Sequence, residues 1–161
     1  MATRSGTGPV WVIGWREWLA LPDLKIPEIK VKIDTGARSS ALHAFDVERF
    51  RRNGKSMIRF RIHPYQRDPR RVVVAETELV GLRTVRDSGG HAERRPVIVT
   101  KAKLRNRSWV IELTLTNRDE MGFRMLVGRR ALRQRFLVDP GKSFLAGRPA
   151  SWDERRSRGA E

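Results

Sequence analysis

Cysteine is missing altogether from the 161 residues, which excludes disulfides, thiol nucleophiles and the common structural zinc sites. A reducing, cytoplasmic setting is the expected location. Only three histidines occur, His43, His63 and His91, and no His-Glu-x-x-His pair is among them, so a catalytic zinc site has no ligand set in the sequence. His43 is expected to pack or hydrogen-bond locally. No Gly-rich loop leads into Lys-Ser or Lys-Thr, which leaves ATP without a phosphate cradle, and no cofactor or metal is expected. Apolar runs fall far short of the roughly 18 residues that a membrane span requires. The opening "MATRSGTGPV" has no apolar core of a signal peptide, so the expectation is a protein that is neither exported nor membrane-bound. Acidic residues are also scarce: 18 against 34 basic ones, a net charge of +16. Such an excess suits an acidic partner, the candidates being RNA, a ribosomal surface, an acidic peptide or an anionic membrane.

What is present is a succession of short β-rich runs, among them "VWVIG", "EIKVKID", "SALHAF", "MIRFRIH", "RVVVAE", "RPVIVTKAKL" and "SWVIELTLT". Several alternate apolar with charged residues, as half-buried strands do. The Gly-, Pro-, Asn- and Asp-bearing stretches "RNGKS", "HPYQRDP", "RDSGGHAERRP" and "RNR" separate them as turns. The length suits one domain. Residues 10–147 are expected to form it, flanked by flexible tails at 1–9 and 148–161. An all-β fold follows, with one or two short helices at most, for which "DVERFRR" and "RRALRQRF" are the candidates. Trp11, Trp15, Trp18 and Trp109 are read as core or edge packing, with base stacking the alternative.

The stretch "VKIDTGARSSALHA" carries the chemistry. A buried strand does not end on an ionised carboxylate without a reason, because burying a charge is costly. An Asp at a strand end followed by Thr and Gly is what an aspartic peptidase uses. The carboxylate of Asp34 sits in a loop, Gly36 lets backbone N–H groups approach it, and the Thr35 hydroxyl can anchor the loop to a symmetry mate. Such a site also needs an apolar pair and a glycine beneath the loop, and "RMLVGRRAL" supplies Leu126, Val127 and Gly128.

Together the two motifs resemble the retropepsin family. The match is closer to a bacterial branch of retropepsin-like peptidases that carries the label ATP-dependent zinc protease. That branch is associated with a glutamate ligase acting on a ribosomal protein. The hallmarks run from "VIGWREWLALPDL" through "WVIELTLTNRDEMGFRMLVGRRAL" to "RFLVDPGKSFLAG". The resemblance implies an acid-protease barrel with one lobe per chain, and a hydrolase of the aspartic endopeptidase class. It further implies a homodimer in which Asp34 of each subunit faces the other across a two-fold axis. Two close carboxylates share one proton, one acting as base on water while the other polarises the scissile carbonyl.

The resemblance also implies a flap at residues 84–96, an ordinary exposed hairpin being the alternative. Ala37, Arg38, Arg129, Gly89 and Gly90 are then the substrate-binding candidates. "DSGG", with Asp87, looks like a second motif, but "GLRTVR" before it is not an apolar strand, and a hairpin tip fits better. Retropepsins commonly have an acid where this chain has Arg38, paired with the Arg after the second glycine, here Arg129. Either Arg129 turns to another acid, Asp119 or Asp139, or both arginines widen a positive site that favours acidic, glutamate-rich substrates. Arg38 itself is either the reader of that acid or is neutralised by Glu28 or Asp119. Competing readings are a basic β-barrel that binds RNA or the ribosome, and a pseudo-peptidase scaffold.

Overall fold

A computed structural model describes residues 8–87, 89–118 and 122–149. Asp119 and nearly all of both expected tails lie outside the described residues. The chain is almost entirely β. Its strands are β1 (Trp11–Gly14), β2 (Arg16–Leu21), β3 (Ile26–Asp34), β4 (Ser40–His43), β5 (Phe45–Arg52), β6 (Lys55–Ile62), β7 (Val73–Glu78), β8 (Gly81–Arg86), β9 (Ala92–Leu104), β10 (Arg107–Thr116), β11 (Met125–Gly128) and β12 (Phe136–Asp139). Among the described residues the helical elements are one turn, α1 (Arg129–Leu132), and a 3-10 turn at Pro22–Leu24.

Six strands close on themselves in the order β10-β4-β11-β3-β2-β9, with β9 returning to β10 and β8 added outside β9. Closure leaves no edge within the ring. Two of its pairings are parallel, β11 with β3 and β4 with β10, and these bring residues distant in sequence to one end of the barrel. Alternation on β3 turns Ile29, Val31 and Ile33 inward onto Leu19, Leu42, Ile98, Leu113 and Val127. The opposite parity leaves Lys30, Lys32 and Asp34 on the outer face.

The three-stranded sheet β5-β6-β7 is an addition to this barrel. Its Ile58, Phe60, Ile62 and Ala75 join the same core, so sheet and barrel form one hydrophobic unit. The helix expected at "DVERFRR" is strand β5 instead. Asn53 and Gly54 both take positive φ, 51° and 77°, and make the two-residue turn whose twist suits a hairpin. That turn folds β5 back on β6, where Arg52 and Arg59 lie over the Phe50 ring and pair with Glu76. The expected helix "RRALRQRF" keeps only its first turn, because Arg133 leaves helical geometry and Gln134 turns left-handed at φ 66°.

One buried acid belongs to neither apolar face. Glu17, fully buried, accepts N–H groups from Gly14 at 2.6 Å and from Leu145 and Ala146 at 3.0 Å each. It ties the end of the domain to its beginning.

Candidate active site

Asp34 is the last residue of β3, and Gly128, the last of β11, lies directly beside it in the parallel register. The loop between β3 and β4 then curls over its own carboxylate. The N–H groups of Gly36 and Ala37 donate to Asp34 Oδ1 at 3.0 and 3.2 Å, and the Ala37 N–H also reaches the Asp34 carbonyl. Such donors favour the charged form of a carboxylate and fix its direction. The side chain remains half exposed.

The loop is fastened from β11. Gly128 donates its N–H to Ser40 Oγ at 3.0 Å, Arg129 N–H to the Ala37 carbonyl at 2.8 Å, and Thr114 Oγ1 to the Ser40 carbonyl at 3.2 Å. No larger residue fits at 128, since a Cβ there would run into the Ser39 and Ala37 carbonyls. Leu126 and Val127 divide the two faces of β11. Val127 points into the core, and Leu126 lies opposite Lys32 on the outer face.

Asp34 opens into a cleft of 920 Å³. Gly36, Ala37 and Arg38 line one side and the β8–β9 hairpin, with Thr84 to Asp87, walls the other. Of the expected substrate contacts, Arg38 lies in this cleft, while Gly89 and Gly90 sit out at the hairpin tip and are not among its lining residues. Arg129 is used differently: its Nη1 donates to the Gly36 carbonyl at 3.1 Å, so it braces the loop. Lys32, Arg83, Arg86, Arg95 and Arg130 complete the cationic lining. The sequence marked them only as members of a general basic excess, because it did not show which strand parity and which hairpin face the cleft. Arg83 pairs with Glu112 and Arg95 with Glu93. Among the described residues no carboxylate pairs with Arg38, Arg86 or Arg130.

Asp87 shares the cleft but is committed elsewhere. His91 N–H donates to its Oδ1 at 2.8 Å and Arg118 Nη1 to its Oδ2 at 2.7 Å. The His91 amide, with the Arg118 guanidinium acting against partial desolvation, holds its carboxyl below the ordinary carboxylate value. With both oxygens already taken by these donors, Asp87 is poorly placed to share a proton with Asp34.

A zinc site does not fit the side chains. Among the described residues no group of three or more His, Asp or Glu converges. His43 Nε2 lies 3.0 Å from the Asn117 carbonyl, His63 stacks on Phe45 at 4.4 Å, and His91 stands at the hairpin tip. Of the tryptophans, Trp109 is core, donating its indole N–H to the Ala131 carbonyl, and Trp11 packs against the core. Trp15 and Trp18 lie outside that cluster.

A closed six-stranded barrel, an Asp-Thr-Gly loop at its open end and a glycine strand locked beneath that loop together define a one-lobed retropepsin-like acid-protease fold. Residues 12–149 match the family described as "RimB-like: Retropepsin-like aspartic endopeptidase RimB", and the chain belongs to this family. Its fold is similar to the crystal structure of a Legionella pneumophila protein of unknown function, at a TM-score of 0.71 and 28% identity, over 84% of this chain and 98% of that one. Curated relatives are longer. A "Probable alpha-L-glutamate ligase" of Shewanella pealeana is 42% identical over 137 residues, 85% of this chain but 30% of the relative. A protein of the same name from Parasynechococcus marenigrum is 46% identical over 136 residues, 84% of this chain and 29% of the relative. The chain thus spans about a third of the length of these relatives.

Proposed function

We propose that the chain is an aspartic endopeptidase whose working form is a homodimer, with Asp34 from each subunit sharing one proton across the two-fold axis. The observation that carries this reading is the Asp34 loop itself. A carboxylate is held by two backbone N–H groups, left half exposed, and set at the floor of a cleft under a hairpin. One Asp34 takes a proton from water as the oxygen adds to the scissile carbonyl. The other, protonated, donates to that carbonyl oxygen, and collapse of the tetrahedral species breaks the C–N bond with proton transfer to the leaving amine. In this reading Thr35 and Gly36 shape the loop, Arg129 braces it, and the β8–β9 hairpin acts as the flap. The site works in the cytoplasm on a protein or peptide substrate.

The cations that no carboxylate pairs with among the described residues, Arg38, Arg86 and Arg130, favour an acidic stretch near the scissile bond. The relatives' name, with its glutamate-ligase activity, makes a glutamate-rich chain the first substrate to try. Asp34→Asn tests the reading. The amide oxygen still accepts the Gly36 and Ala37 N–H groups, so the variant is expected to fold while peptide cleavage falls by at least about 10³-fold. Undiminished cleavage by a folded Asp34→Asn chain would remove the aspartic mechanism. A strict monomer in sedimentation, at concentrations where peptide is cleaved, would remove the symmetric pair.

A further inference from the structure

On the outer face of β2 and β3, beyond the cleft, rings and cations alternate. Arg148 lies 4.2 Å over Trp18, and Trp18 stacks on Phe144 with centroids 6.3 Å apart. Arg16 lies over both Phe144, at 5.0 Å, and Trp15, at 4.9 Å. Trp15 meets Phe123 edge-on at 5.9 Å, and the Lys30 ammonium lies 5.7 Å above that ring. The four rings are partly exposed, and none belongs to the hydrophobic core or to the side chains packed against it.

Each of these cations lies over at least one ring face. Among the described residues the Arg16 side chain meets the two rings and the Ser143 hydroxyl, and no carboxylate pairs with Arg16, Lys30 or Arg67. Burial and the neighbouring charges of Arg16, Arg67 and Arg148 hold the Lys30 ammonium below its ordinary value. A guanidinium held over a ring still has N–H donors to offer a phosphate. The strip adjoins the cleft, because Arg16 stands opposite Lys32, one of its lining residues.

We propose that this strip of stacked rings and cations is a binding surface for single-stranded nucleic acid, separate from the peptidase site. A plain polyanion site needs charge alone; interleaved rings add the sequence-tolerant stacking that unpaired bases supply and an acidic protein surface does not. An acidic protein is therefore the weaker fit.

The test uses the full chain with labelled oligouridylate and oligo-dT of about ten nucleotides, a duplex of the same length and poly-L-glutamate, read by anisotropy and by tryptophan fluorescence. Both single strands are expected to bind and to quench tryptophan emission, with affinity falling as salt rises. The ratio of the two single-strand affinities reports whether the sugar is read. Trp18→Leu is expected to weaken single-strand binding about tenfold and to diminish the quench. Arg16→Gln with Lys30→Gln is expected to lower the salt slope by about two. If Trp18→Leu melts early, the charge pair alone decides. Absence of binding overturns the proposal, as does poly-glutamate or duplex that binds as tightly as the single strands. So does a folded Trp18→Leu chain that loses neither affinity nor quench. The stack would then serve only to pin residues 143–148 to the barrel.

Discussion

Arg38 and Arg129 flank one loop with opposite duties. The guanidinium of Arg129 is spent on the Gly36 carbonyl, whereas Arg38 reaches the cleft and has no carboxylate partner among the described residues. Arg38→Glu is therefore expected to lower kcat/KM for an acidic peptide at least tenfold relative to a matched basic one, as kinetics on the peptide pair would show. An unchanged ratio in a folded dimer would assign Arg38 to structure. Gly128 is constrained by space alone. Gly128→Ala forces a methyl against two carbonyls of the active loop, with an expected loss of about 2 kcal/mol or more, measurable by urea unfolding, and a loss of cleavage with it. Both positions could be singled out from the sequence because they fall in short motifs. Their different uses could not, since a spacing says which residues are near a loop but not which carbonyl a guanidinium finds.

The β8–β9 hairpin carries an acid, Asp87, whose ionisation bears on the order of its tip. Its tip is ordered by Asp87, whose carboxyl lies below the ordinary value near 3.8 because His91 N–H and Arg118 favour the charged form. The sign follows: this contribution is complete above the ordinary carboxylate range and is lost as pH falls through the lower folded value. Protection of the His91 amide, its exchange rate relative to the intrinsic rate at each pH, is expected to fall below about pH 4, and Asp87→Asn is expected to show the lower protection already at neutral pH. A protection factor that does not change with pH in the natural chain would assign the tip's order to its backbone bonds. The hairpin itself was legible in "DSGG" and in the strands around it. Strand β5 was not, because a short run of mixed polarity carries little period of its own and only the Asn53-Gly54 turn decided it. Nor were the two parallel pairings visible, since no local pattern records which distant strand a run will meet.

For the whole molecule, closure is the governing fact. The pairings that shape the site are long-range: Gly128 beside Asp34, Leu113 beside Ser40, and the N–H groups of Leu145 and Ala146 on Glu17. Folds rich in such contacts form slowly. The Glu17 carboxylate has a further consequence for synthesis. Until residues 145 and 146 have left the ribosome, two of its three backbone donors do not exist, and enclosing the acid in the barrel would strand a charge. Strands β1 to β11 are therefore expected to wait, with the Asp34 loop unassembled, until nearly all of the domain has been translated. A nascent chain arrested before residue 143 emerges should be digested readily by added protease, and one released a few residues beyond 147 should resist it. The acid in this way makes the Asp34 cleft one of the last parts of this domain to form, and a product cut short of that point carries no formed cleft.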